Sequence, residues 1–162
     1  MATFNALVLN GHYAELGVRE LARKAGVGRS TFYQHFDDKT ALLVEAMYPL
    51  LSIVANAAAG NEAPKLPWVL AHFEEQRANA LEFFASAERA AIESAVTKLI
   101  EPQLPRSSTP LPRATIASTL SRTALGLIAD WLAAEQRVGA EELAAVVTRT
   151  MLACRSALLV TG

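Results

Sequence analysis

The chain has 162 residues, 52% of them hydrophobic but only 7% aromatic, and a formal net charge of −1. That length can bury a real core in one or two small units, and the near-zero charge excludes a generally basic coater of nucleic acids. The single cysteine, Cys154, excludes an internal disulfide and any Cys-based zinc site, which suits a reducing cytoplasm. No basic region followed by an apolar stretch marks a signal peptide at the N-terminus. No run of apolar residues reads as a membrane span, no repeat is visible, and strand-like alternation is absent. The expectation is an all-α, cytoplasmic protein.

In chain order, a first helix is predicted over Ala2–Asn10, with Phe4, Leu7 and Val8 facing inward. Gly11-His12-Tyr13 closes it. A second helix is predicted over Val18–Ala25, where Val18, Leu21, Ala22 and Ala25 make the i, i+3, i+4, i+7 stripe of a helix with one buried face. Ala25-Gly26-Val27 then forms a compact turn, Gly26 supplying the permissive backbone. A third helix follows over Arg29–Phe36. Phe32 and Phe36 are one turn apart and anchor one side; Ser30, Tyr33, Gln34 and Asp37 share another, with Arg29 at its edge. A short helix that exposes Arg, Ser, Tyr and Gln over two buried Phe has the layout of a DNA-reading helix-turn-helix.

These residues also carry a family resemblance. The pattern A-G-V-x-x-x-T-[FLI]-Y-x-H-F-x-x-K is matched by Ala25, Gly26, Val27, Thr31, Phe32, Tyr33, His35, Phe36 and Lys39. Residues 12–46 thereby resemble the DNA-binding region of the tetracycline-repressor (TetR) family of bacterial transcriptional regulators. The resemblance implies backbone contacts from Thr31, Tyr33, Gln34, His35 and Lys39, and base contacts from Arg29, Ser30 and Tyr33. The residue chemistry agrees. Hydroxyls, amides and ammonium groups donate to phosphate oxygens, and a guanidinium can pair with guanine O6 and N7. Taken singly, His35 could be a core histidine, Lys39 a solvated charge and Arg29 a further phosphate contact.

Departures from the family pattern are informative. Gly28 stands where Ser or Thr is frequent, and Gly17 replaces a common capping Ser or Thr; glycine caps cost only a few tenths of a kcal/mol relative to serine. Asp37 places an acid beside the proposed phosphate path and should weaken binding. Residues 1–48 hold five Lys/Arg and five Asp/Glu, so affinity must come from a local basic edge and from dimerisation. The family normally has a basic arm and a full first helix before the motif, whereas this chain starts almost inside that helix. Either the natural protein extends upstream of Met1, or it makes do with less phosphate contact.

Beyond the motif, Asp38 is a good N-cap for a long helix, Lys39 to about Ala59, with Pro49 kinking or interrupting it. Residues 60–67, GNEAPKLP, break the chain. Helices are then predicted over Trp68–Ala85, Ala87–Glu101, Arg113–Gln136 and Ala140–Leu159, with the proline-rich loop 102–112 before the third of these and Gly139 before the last. The organisation expected is a DNA-binding unit, 1–46, and a helical effector-binding and dimerisation body, 47–162.

For an effector pocket, the candidate walls are Met47, Leu51, Trp68, Phe73, Phe83 and Phe84, with His72 and Gln76 as orienting polar groups. The simpler reading of His72 and Gln76 is ordinary core or surface. For the dimer, the stripe Ile116, Leu120, Ala124, Leu127 and Trp131 and the repeat Leu143, Val147, Cys154 and Leu158 show more apolar surface than one neighbour can cover. Two copies would make a four-helix interface; the alternative is an intrachain core. Nothing suggests catalysis or a cofactor: there is no Gly-rich phosphate loop or H-E-x-x-H, and His12, His35 and His72 lack metal-ligand spacing. The reading is therefore a homodimeric regulator of double-stranded operator DNA, most simply a repressor released by a small-molecule effector. The alternative is a helical small-molecule-binding protein that has lost DNA binding.

Overall fold

The structure, a computed structural model, describes residues 17–106 and 109–159. The described residues form eight α-helices and no strand: α1 Val18–Lys24, α2 Arg29–His35, α3 Lys39–Ala58, α4 Leu66–Glu75, α5 Arg77–Ala85, α6 Arg89–Ile100, α7 Arg113–Ala133 and α8 Ala140–Leu158. A 3₁₀ turn, Glu101–Gln103, follows α6 where Pro102 stops the α-helix. The all-α expectation is met. The helix expected over Ala2–Asn10 lies outside the described residues.

The chain divides into two units, Met1–Pro49 and Leu50–Gly162. In the first, α1 and α2 are joined by a Schellman stop. Gly26 takes φ 71°, the Val27 N–H donates to the Ala22 carbonyl and the Gly26 N–H to that of Arg23, satisfying the carbonyls a helix end leaves open. Leu21, Ala22, Phe32, Phe36, Leu42 and Leu43 are the buried residues that hold this unit together. α3 begins as expected: the Asp38 carboxylate accepts from the Ala41 N–H at 2.7 Å, an N-cap.

Pro49 lies inside α3 without interrupting it. This helix is long and apolar enough to cross a membrane, with mean hydropathy 1.6, and 56% of that window is buried inside the fold. It departs from the expectation that no run reaches spanning length. The burial of Leu42, Leu43, Leu50, Leu51 and Val54 makes it a core helix. A second Schellman stop ends it, at Gly60 with φ 74°.

In the second unit α6 packs along α7, α4 along α8, α7 against α8 and α5 against α7. Ser121, the buried polar residue of α7, donates its hydroxyl to the Glu93 carbonyl of α6 at 3.0 Å. Two helix ends differ from expectation. The helix predicted over Trp68–Ala85 is two helices, because Gln76 leaves helical geometry at φ −102°, ψ 32°. The polar run Glu74–Arg77 makes that break affordable, and the Arg77 Nε is drawn to the Leu132 carbonyl at the end of α7, 2.7 Å away. α7 stops at Ala133 and not at Gln136. There the Trp131 indole N–H reaches the Val138 carbonyl at 2.9 Å, and Arg137 pairs with Glu74 at 3.6 Å, folding 134–139 back.

Candidate nucleic-acid interface

The first unit fixes α2 from below. Phe32 is buried and meets Tyr33 edge-on at 5.4 Å and Phe36 at the same separation, tilted. With that side anchored, Arg29, Ser30, Tyr33, Gln34 and His35 are all left exposed on the helix. Tyr33 is 48% exposed, so its ring leans on Phe32 while its hydroxyl is presented outward. Thr31 and Lys39 are half-buried. Lys39 opens α3, directly after the Asp38 cap, where the helix dipole favours an anion. Asp37 is exposed beside them.

The surrounding charge is mixed. Sequence reasoning passed over Arg19, Arg23 and Lys24, which α1 also exposes. Their spacing of four and one residues along a helix was the available signal. Arg23 is paired with Glu20 at 3.2 Å, both exposed, an arrangement of small energetic weight that can be exchanged for another anion. Gly17, Arg19, Glu20 and Arg23 line an open cleft of about 390 Å³.

The second unit places the effector-pocket candidates differently from one another. Leu51, Phe73, Phe83 and Phe84 are buried, Phe73 and Phe84 meeting edge-to-face at 6.2 Å. Met47, on the first-unit side of the division, is also buried. His72 and Gln76 are half-buried, and the Gln76 side-chain oxygen accepts from Asn79 at 3.4 Å. Trp68 does not join them. It is 61% exposed and stacks on His72 at 5.9 Å. The buried face of α4 is Leu66, Val69, Leu70 and Phe73, and position 68 falls on the opposite side of that wheel.

The dimer stripes need a larger correction. Ile116, Leu120, Ala124 and Trp131 of α7 and Leu143 and Val147 of α8 are buried within a single chain. Leu127, Cys154 and Leu158 are half-buried. The apolar surface that seemed too large for one neighbour is covered by several, since α5, α6 and α8 pack on α7, and α4 and α7 on α8. Those six residues are intrachain core. On another face of α7 Arg122 and Asp130 are exposed and Thr119, Thr123 and Gly126 half-buried, and α8 exposes Ala145, Arg149 and Leu152.

Among the described residues no group of three His, Cys, Asp or Glu gathers to hold a metal ion.

Comparison with known proteins gives the following. A family model described as bacterial regulatory proteins, tetR family, matches residues 8–46. The HTH-type transcriptional regulator EthR of Mycolicibacterium smegmatis is 34% identical over 67 residues, 41% of this chain. That stretch is 30% of the EthR length. Two solved structures resemble the whole chain in fold. A TetR transcriptional regulator from Streptococcus agalactiae 2603V is 22% identical with a TM-score of 0.54, over 93% of this chain and 89% of that one. The TetR family repressor AlkX from Dietzia sp. strain DQ12-45-1b is 17% identical with a TM-score of 0.54, over 99% of both chains.

Proposed function

We propose, from the match of residues 8–46 to the model of bacterial regulatory proteins of the tetR family, that the chain is a DNA-binding transcriptional repressor of that family released by a small-molecule effector. The observation that carries this reading is the face of α2. Five polar side chains stand exposed on a seven-residue helix whose opposite side is tied down by Phe32. Arg29 is the base reader, with Ser30 and Tyr33 beside it; Thr31, Gln34, His35 and Lys39 hold phosphates, and Arg19, Arg23 and Lys24 add to the basic edge. Two copies place two such heads on adjacent half-sites. An effector in the helical body, bound more tightly by the released geometry, shifts the population toward it. The protein works in the cytoplasm, where its operator is, and needs no cofactor.

The test is a titration of DNA from upstream of the chain's own gene, followed by anisotropy at several salt concentrations. Specific, salt-dependent binding is expected, and its absence at every salt would favour a small-molecule-binding protein without DNA. Lys39→Ala and Tyr33→Phe are expected to weaken binding while leaving thermal unfolding nearly unchanged, since each removes a donor and little core. Lys39→Ala should also reduce the salt slope by about one phosphate contact. Wild-type affinity in both variants would remove these residues from the interface.

Arg29→Ala is expected to relax sequence preference, costing about 1–3 kcal/mol on the operator and much less on random DNA. Equal losses on the two DNAs would make Arg29 a phosphate contact.

A further inference from the structure

The loop before α7 carries four prolines, Pro102, Pro105, Pro110 and Pro112. Proline fixes φ and removes a donor, so α6 cannot run on through it. Much of the loop faces solvent: Pro105, Arg106, Pro110, Leu111 and Pro112 are exposed. One side chain fastens it to the body. The Thr109 hydroxyl donates to the Leu158 carbonyl at 3.1 Å, across 49 residues of chain, and accepts from the Leu111 N–H at 3.4 Å. Leu158 is the last residue of α8, and its carbonyl is among those a helix end leaves open. A single hydroxyl therefore ties the loop to the end of α8.

The sequence around Thr109 has a pattern. Arg106 stands three residues before it and Pro110 directly after it. Arg106 is exposed and has no hydrogen-bond or ion-pair partner among the described residues. No Asp or Glu lies between Pro102 and Pro112, so nothing in the segment cancels that cation. A Ser/Thr kinase takes its substrate as an extended, non-helical segment. It selects by charge, with acidic groups of its own cleft reading a cation on the N-terminal side of the acceptor. The prolines supply the non-helical backbone and Arg106 the charge.

We propose that Thr109 is a phosphorylation site for a Ser/Thr kinase that reads Arg106 and Pro110, and that its phosphate unties the loop from the end of α8. The site does not depend on DNA binding. In the step, the γ-phosphoryl group of a nucleoside triphosphate passes to Thr109 Oγ1. The Oγ1–P bond forms, the bond from that phosphorus to the bridging oxygen breaks, the hydroxyl proton goes to the kinase's base, and the nucleoside diphosphate leaves. The product oxygen has no hydrogen left to donate to Leu158. It also carries a group of about −1.5 to −2 charges, set against the carbonyl end of α8, where the helix dipole repels an anion. The opposite pole is close along the chain. α7 begins at Arg113, four residues on, and no side chain caps it, so its open N–H groups favour the phosphate. Phosphorylation thus turns Thr109 away from one helix end and toward another.

The experiment treats the full chain with a purified basophilic Ser/Thr kinase, ATP and Mg²⁺, maps the site by mass spectrometry, and follows amide hydrogen exchange, with circular dichroism as the control for folding. One phosphoryl group per chain is expected, on Thr109. Arg106→Ala is expected to slow its incorporation about tenfold or more, the effect of losing one charge-assisted hydrogen bond to the kinase. Thr109→Val removes only the tie, and amides in the last turn of α8 are expected to exchange about fivefold faster in it. In the phosphorylated chain and in Thr109→Glu they are expected to exchange faster again, an order that a merely structural threonine would not give. Absence of phosphate from Thr109, or its appearance on Ser107 or Ser108 alone, overturns the site. Phosphorylated Thr109 with exchange no faster than in Thr109→Val overturns the release of α8.

Discussion

Val147→Asp unfolds the helical body; it does not release a folded monomer. Val147 is completely buried on the face of α8 that packs against α4 and α7. A carboxylate there has neither water nor a partner, and an unpaired buried charge costs several kcal/mol. Domains of this size hold only about 5–15 kcal/mol in reserve, so the native state should lose most or all of it. Thermal melts by circular dichroism are the measurement, and the expected result is a loss of cooperative unfolding or a fall in Tm of ten degrees or more, about what a few kcal/mol does to a domain of this length. A helical monomer melting at the wild-type temperature would return Val147 to a subunit interface. Leu152→Asp, at a residue 51% exposed, serves as the matched control and should leave the fold intact.

Phe32→Ala abolishes DNA binding through the fold of the first unit. Phe32 is 1% exposed and in ring contact with both Tyr33 and Phe36. Truncating a buried phenylalanine costs about 3–5 kcal/mol, and a unit this small rarely gains more than that from its core. The second unit has its own buried residues, from Leu50 and Val54 to Met151, and should keep its helices. The expected outcome is no detectable operator binding, a partial loss of helical signal, and a body that still melts cooperatively. Retained operator binding within tenfold of wild type would mean that α2 is held by something other than Phe32.

Much of this was legible before any coordinates. The helix-turn-helix was, because its residue types are fixed by local geometry: an αL glycine at position 26, two phenylalanines one turn apart, an aspartate at the cap. The long loop before α7 was, because proline punctuates without regard to context. The partition of the last two helices into core and open face was not. Periodicity identifies which residues are apolar and share a side. It does not identify how many neighbours will cover them, and Ile116, Leu120 and Val147 are buried in a body where α5, α6 and α8 pack on α7 and α4 and α7 on α8. The break at Gln76 was hidden for the same reason: its fastening, Arg77 to the Leu132 carbonyl, spans 55 residues. Trp68 shows the reverse error, an apolar residue read as a wall when helix phase alone turns it outward. The exposed set proposed to face DNA carries no such dependence, since exposure on α2 follows from where Phe32 and Phe36 point.

The two tryptophans, one stacked on His72 at the surface and one tied to the Val138 carbonyl inside, have a practical consequence. The chain has no others, and both lie in the second unit. The first unit is therefore silent in indole fluorescence. Emission from Trp131 reports the integrity of the body from a buried site, blue-shifted and shielded. Trp68 reports the solvent side, red-shifted and open to a dissolved quencher such as iodide. Quencher titration separates the two signals without any label. Melting of the first unit then registers only in far-ultraviolet helicity and tyrosine light, so a spectrometer can tell the two units of this protein apart as they unfold.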